Sequence, residues 1–378
     1  MTRISDTPDK PRDETEAPAI ATEFTDSERE VLTFLRNSKR VDLRWLSEEQ
    51  KQKLKTVLDG LHNGKRLSLL RISKEVGRSY MAIWGLCRAL EIPTRSIAEA
   101  DRNSAVLRSK HKRTPFDGST EDAAYMVGFK NGDLTAWQVS GTAVMVTSTT
   151  THPAFADLFH QLFQTYSHVY QYPMFEEGKG YKWKVAVRLD NSFKFLLKSA
   201  LEAVEEFAPK RPLYLSWLAG LIDSDGNIYT SEDNGYPRVR VTIYNSDTLL
   251  VNAIIRESRK IGYEFDGPYL LKKKRTITPF GIRYKKDLWQ IALQRTESAQ
   301  TLLAELPLRH SEKTERKLLA LRVGNSEWNE IDMELARLKK KIKAGVVEFC
   351  KRGEECYVQK QKVRNQKTTA NGPNPSSD

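Results

Sequence analysis

The sequence predicts an α+β chain in which two tandem αββαββα repeats follow a small all-α module. Three observations predict it. An apolar helix ending in Gly and Asp occurs twice, as Trp217-Leu218-Ala219-Gly220-Leu221-Ile222-Asp223-Ser224-Asp225-Gly226 and as Ala124-Tyr125-Met126-Val127-Gly128-Phe129-Lys130-Asn131-Gly132-Asp133-Leu134. Setting Gly128 on Gly220 places Asp133 on Asp225, Asn131 on Asp223 and Leu134 on Gly226. Each helix is followed by matching strand and helix patterns, the mark of an internal repeat. Upstream of both copies lies a helical pattern broken once, at Gly77.

Residues 1–24 are polar, with Pro8, Pro11, Pro18 and mixed charge, and read as a disordered tail. Residues 25–113 read as a helical module and basic linker. Within it, the apolar spacing from Leu69 stops at Gly77 and resumes after Ser79, a good N-cap. This is the layout of a helix-turn-helix, with Ile72, Val76, Ile83, Leu86 and Leu90 as core. The N-terminal residues of such a second helix touch base edges, which nominates Arg78, Ser79, Tyr80 and Ala82. A plain helical hairpin used for packing has the same spacing.

The first repeat spans 114–210 and the second 211–325. Val144-Met145-Val146-Thr147 and the apolar helix residues Phe155, Leu158, Phe159 and Leu162 parallel Val239-Arg240-Val241-Thr242 and Leu249, Leu250, Ile254 and Ile255. Trp183-Lys184-Val185-Ala186-Val187 parallels Trp289-Gln290-Ile291-Ala292-Leu293, and each run precedes a Leu pair, Leu196-Leu197 and Leu302-Leu303. The alternation from Arg238 to Ile243 is that of a sheet with one face packed and one polar. Residues 326–364 read as a Lys-rich helix with Leu335, Leu338, Ile342 and Val346 on one face, and 365–378 as a polar, disordered tail.

Lys and Arg number 61 against 49 Asp and Glu, a formal charge of +12, which is an electrostatic footprint for phosphate. Basic residues cluster at Arg108 to Arg113, Lys272-Lys273-Lys274-Arg275 and Arg283-Tyr284-Lys285-Lys286. Any one run is equally well a solvated face. Two of the three sit between predicted strands of the second repeat. Three cysteines, Cys87, Cys350 and Cys356, make no disulfide framework and match no zinc spacing. A bound metal is therefore expected to be held by oxygen, with Asp225 delivered to it at the end of its helix. No apolar run reaches the roughly 18 residues of a membrane helix. The expectation is a soluble, intracellular, cytoplasmic protein, associated with the nucleoid in a prokaryote.

The motif from Trp217 to Gly226 resembles, nearly letter for letter, the signature of the LAGLIDADG homing endonucleases, and the resemblance extends over residues 114 to 325. It implies two halves packed through their motif helices about a pseudo-two-fold axis, with Gly128 and Gly220 at the helix interface. It further implies curved sheets forming a saddle on double-stranded DNA. The last acidic residue of each motif, Asp133 and Asp225, would then meet Mg²⁺, for which Mn²⁺ can substitute. The family often adds a lysine just before the last strand of each half, a position that Lys285 or Lys286 fits in the second and Lys179 in the first. DNA contacts fall to Lys272, Lys273, Lys274 and Arg275 on the rim and to Arg238 and Arg240 on the strands. The module before the repeats looks like the helix-turn-helix domains of prokaryotic DNA-binding proteins.

The first motif departs from the signature at Lys130, Asn131 and Leu134. The resulting reading is a monomeric, metal-dependent, site-specific DNA endonuclease. The alternative is a non-cleaving transcriptional regulator on a degenerate form of the same fold, because some bacterial sporulation regulators join such a fold to a helix-turn-helix.

Overall fold

The computed structural model describes residues 24–38, 41–94, 110–139, 141–177, 180–277 and 284–370. The expected tail at 1–23, most of the basic linker and residues 371–378 lie outside them. Contacts divide the chain into two compact units, Met1–Lys110 and His111–Asp378.

The N-terminal unit is helical: α1 (Asp26–Asn37), α2 (Glu48–Asp59), α3 (Leu69–Glu75) and α4 (Tyr80–Ala89). Capping sets their starts. Thr25 with Glu28, and Ser47 with Gln50, form reciprocal capping boxes, and Ser79 Oγ accepts from Ala82 N. Each such cap contributes about 1 kcal/mol. Ile72, Val76, Ile83, Leu86 and Leu90, the expected core, are all buried, beneath Leu35, Leu58 and Leu61. The turn at Gly77 takes φ +64°, a left-handed conformation that glycine adopts without a Cβ penalty.

In the C-terminal unit the first repeat runs α5 (Thr120–Asp133), β1 (Thr135–Val139), β2 (Ala143–Thr150), α6 (Pro153–Phe163), β3 (Val169–Glu176) and β4 (Gly180–Asp190). A 3₁₀ segment (Asn191–Leu197) and α7 (Ala200–Phe207) close it. The second runs α8 (Arg211–Asp225), β5 (Gly226–Asp233), β6 (Tyr236–Asn245), α9 (Thr248–Lys260), β7 (Asp266–Lys272), β8 (Leu288–Leu293) and α10 (Thr296–Glu305). Two further helices follow, α11 (Ser311–Arg322) and α12 (Trp328–Ala370). The last helix thus runs past residue 364, where composition placed its end.

Both sheets are antiparallel and four-stranded, with the same strand order, β1-β2-β4-β3 and β5-β6-β8-β7. Their registers agree as well. Val146 pairs with Val187 and Thr150 with Trp183 in the first sheet, and Val241 with Leu293 and Asn245 with Trp289 in the second. These are the partners that the sequence alignment of the two halves sets on one another. Val144, Val146, Val185, Val187 and Leu189 face the core under α6, with Val239, Val241, Ile243, Ile291 and Leu293 their counterparts under α9. Leu249, read from the sequence as part of the α9 core face, is 66 % exposed, because Leu250, Val251 and Ile254 already fill that face.

The crossing of α5 and α8 holds the two repeats together. Residues 124–129 and 214–223 are buried without interruption, the mark of helices enclosed on every side. A Cβ added to Gly128 would overlap the Trp217 carbonyl oxygen and lie 3.0 Å from Leu221 N. One added to Gly220 would overlap the Tyr125 carbonyl oxygen and lie 2.7 Å from Phe129 N. Trp217 is the repeat counterpart of Tyr125, and Leu221 of Phe129. The same backbone-on-backbone contact is therefore made twice about a pseudo-two-fold axis. One turn on, a Cβ at Gly132 would overlap Ser224 Oγ.

Helix α12 packs by one face, burying Leu335, Leu338 and Phe349, and returns to the first sheet. There Trp183 Nε1 donates to Phe349 O at 2.7 Å and Gly353 lies against the indole.

Gly220→Leu is expected to destabilise the C-terminal unit by about 3 kcal/mol or more. The new side chain meets backbone that cannot rotate aside, and overpacking outweighs the roughly 1 kcal/mol of helix propensity regained. Chemical denaturation of the variant against the wild type measures this; an unchanged midpoint would refute the close crossing.

Candidate metal centre and nucleic-acid interface

Helices α5 and α8 cross so that their C-termini converge, and each ends on its aspartate. Asp133 is the last residue of α5 and Asp225 the last of α8. A Cβ at Gly132 would stand 3.1 Å from the Asp225 carboxyl carbon, so Asp225 lies against the residue preceding Asp133. The two carboxylates repel one another, and each also sits at the negative end of a helix dipole. Burial, then the charge of Asp133, pushes the Asp225 carboxyl up to about 7. Burial likewise raises Asp133, against the pull of Lys313 and His152.

The cation that answers them is Lys313, in the first turn of α11. Its Nζ donates to Ile222 O at 2.5 Å and Ser224 O at 3.1 Å, two carbonyls of the last turn of α8. Burial lowers its pKa to about 8, with Asp223, Asp133 and Asp225 opposing, so it is charged at neutral pH. The sequence reading missed this residue. Its only local trace is a charged helix start, His310-Ser311-Glu312-Lys313, with nothing to say which helix end it meets. His152 and Glu312 approach at 3.9 Å beside it, and His310 is buried and pushed down to about 4 by desolvation.

Asp223, the inner acid of the second motif, is a fixed strut. It accepts from Tyr125 Oη of the partner helix at 2.5 Å and from the amides of Arg309 at 2.6 Å and His310 at 3.1 Å. Arg309 stacks on Tyr125, 4.2 Å from the ring centroid, and bonds Asp122 at 2.6 Å. These contacts aim α11, and with it Lys313, at the helix ends. The replaced letters of the first motif point elsewhere. Lys130 Nζ donates to Lys198 O at 2.9 Å, and Leu134 is buried where Gly226 lies tight on Ile222.

Among the described residues no group of three or more His, Cys, Asp or Glu could hold a metal. The donor set at the helix ends is Asp133 and Asp225. Two carboxylates, completed by water and phosphate oxygens, suit Mg²⁺ or Mn²⁺, whose charge would offset the burial and mutual repulsion that raise the Asp225 carboxyl. The residues fit a hard divalent ion.

The outer faces of both sheets carry aromatic and basic side chains. On the first, Trp137 pairs with Met145 and Met145 with Arg188, while Lys184 lies between Thr149 and Tyr172 in register. On the second, Tyr229 pairs with Arg240 and Ser231 with Arg238. Both arginines reach Asp233, at 3.3 Å from Arg238 and 3.6 Å from Arg240. Lys272, Lys273, Lys274 and Arg275 are exposed at the end of β7, and Lys285 and Lys286 are exposed in the loop before β8. Lys179 and Arg283 lie outside the described residues.

In the N-terminal unit, Tyr80 is 44 % exposed at the start of α4. Ser79 is engaged as the cap. Arg78 is drawn inward instead, since its Nε donates at 2.6 Å to Leu35 O, one of the free carbonyls at the end of α1.

No family model matches the chain, and no curated protein matches it. Among solved structures it is similar to I-SmaMI bound to uncleaved DNA target in the presence of calcium ions, at 11% identity and TM-score 0.35, covering 58% of this chain and 98% of that one. It is similar to I-DmoI in complex with DNA and Mn at 14% identity and TM-score 0.30, covering 50% and 98%. The N-terminal LAGLIDADG domain of WhiA matches at 12% identity and TM-score 0.33, covering 58% and 97%.

The shift of Asp225 fixes a pH dependence. Its carboxyl holds a proton in the folded protein between about pH 4 and 7 that the unfolded chain has released, so this residue lowers stability as pH rises through that window. Asp225→Asn should therefore gain on the wild type from pH 4 to 7, by up to roughly 4 kcal/mol, and hold a constant lead above pH 8. His310 acts oppositely between about pH 4 and 6.5, but it is common to both proteins and cancels. Denaturation of the pair across this range measures the difference; parallel curves would refute the crowded carboxylates.

Proposed function

We propose that the C-terminal unit is a metal-dependent endonuclease for double-stranded DNA, with Asp133 and Asp225 as its metal ligands. The observation that carries this reading is the convergence of two repeat-related helix ends on a pair of buried, mutually repelling carboxylates. A bound Mg²⁺ or Mn²⁺ supplies Lewis-acid stabilisation of a scissile phosphate and activates water. Asp133 and Asp225 are the residues that would hold it. Attack of water on phosphorus breaks the bond to the 3′ oxygen, leaving a 5′ phosphate and a 3′ hydroxyl. The aromatic and basic outer sheet faces bind the duplex on either side, with Arg188, Lys184, Arg238 and Arg240 toward phosphates or base edges and the rim cluster Lys272 to Arg275 on the backbone.

In the same proposal α3 and α4 are a helix-turn-helix that adds DNA contacts through Tyr80 and its neighbours. One chain carries both halves of the cleft, so the active form is a monomer. Among the described residues no helix is long and apolar enough to cross a membrane.

A non-cleaving regulator is the second reading. The departures at Lys130, Asn131 and Leu134 favour it, as does the cation already placed beside the aspartates.

Asp225→Asn and Asp133→Asn should each lower Mg²⁺-dependent cleavage of bound duplex by at least roughly 10²-fold, with DNA affinity in EDTA unchanged. Intact strands after incubation of the wild type with its bound DNA and Mg²⁺ or Mn²⁺ would select the regulator. In either case DNA affinity should fall steeply as salt rises. Deletion of residues 1–110 should shorten the footprint while the C-terminal unit stays folded, and an unchanged footprint would reduce α3 and α4 to packing.

A further inference from the structure

The centre has a pseudo-two-fold axis, but its cation does not. Lys313 comes from α11, which follows α10, and among the described residues the first repeat has no counterpart to it. Its ammonium is fixed to the end of α8 alone, on Ile222 O and Ser224 O. At the end of α5 the nearest basic residue in the sequence, Lys130, is turned away to Lys198 O. The ammonium is thus held by two hydrogen bonds at the end of α8, and from there its charge acts on Asp133 as well as on Asp225. The anchoring is specific. Asp223 takes the Arg309 and His310 amides, which fixes the start of α11 three residues before Lys313.

Resting on the metal-centre reading above, we propose that Lys313 stands in for one divalent ion at the end of α8, so that the centre takes up a single divalent ion. The charge count supports this. Two carboxylates and two helix C-termini attract cations strongly, but a fixed ammonium among them removes one unit of that attraction and repels a second divalent ion. An ammonium also donates to carbonyl oxygens that a metal would otherwise have to leave to water. Nothing in the repeat symmetry predicts the asymmetry; it follows from a helix attached to one half.

The test is an Mn²⁺ titration of the full chain, stripped with EDTA, followed by calorimetry and by the electron paramagnetic resonance of free Mn²⁺. Wild type and Lys313→Arg should each bind one ion. Lys313→Met, which keeps the length and removes the charge, should bind a second ion or hold the single one about tenfold tighter. Two ions in the wild type, or a folded Lys313→Met identical to it in count and affinity, would overturn the proposal alone. No ion in either protein would overturn it together with the metal-centre reading. Where Lys313→Met fails to fold by circular dichroism, the wild-type and Lys313→Arg counts decide, since one ion each supports the proposal and two overturns it.

Discussion

Everything in the C-terminal unit depends on one contact, the crossing of α5 and α8 at Gly128 and Gly220. Two helices that approach until each glycine touches the opposite backbone bring their last turns together, whatever those turns contain. Larger residues would hold the axes at the usual 8–10 Å or so of packed helices and spread the ends. The contact sets both the orientation of the sheets about the axis and the separation of Asp133 from Asp225. The acidic centre is thus a consequence of backbone packing, with no loop needed to build it. It is also costly, because two helix dipoles and two carboxylates place like charge in one recess.

The way this conflict is relieved organises the rest of the unit. The cation comes from α11, and α11 is aimed by a network that starts on the first motif helix: Asp122 holds Arg309, Arg309 stacks on Tyr125, and Tyr125 donates to Asp223. Both motif helices therefore support a lysine carried by the helix that follows α10. Helix α12 then carries the chain back from the second half to Trp183 of the first. The C-terminal helices close over a pair of repeats that meet at α5 and α8 and again where α7 packs on α9.

What the sequence reveals divides along the same line. The correspondence of the two repeats was legible, because it rests on two copies of one pattern, and the glycine contact followed from the family resemblance. The alignment makes Val146–Val187 and Val241–Leu293 equivalent pairs, but the pairing itself is seen only in the folded sheets. Lys313 was not legible. Its partners lie about ninety residues back along the chain, and a lysine in the first turn of a polar helix has no periodic signature. Lysines sought near the strands, Lys285 and Lys286, share its chemistry but stand exposed in a loop. Arg78 illustrates the same limit, since only the folded module shows that the end of α1 takes it.

The repeat symmetry also locates where the halves have diverged. Tyr125 and Asp223 bond across the axis, and their counterparts are Trp217 and Asn131. At that second position the donors are left over: Trp217 Nε1 and Asn131 Nδ2 are buried with no hydrogen-bond partner among the described residues. A buried unpaired polar atom costs about 1–3 kcal/mol. The first position is not free of that cost, since Asp223 Oδ1 is buried without a partner too, but its Oδ2 accepts three hydrogen bonds. That position is the one that recruits α11 and its lysine, and the other lies with Lys130, Asn131 and Leu134, the letters that depart from the second motif. A symmetric centre would need an acceptor for Trp217, and Asn131 with its amide reversed would present one, since its two terminal atoms are interchangeable by a half-turn.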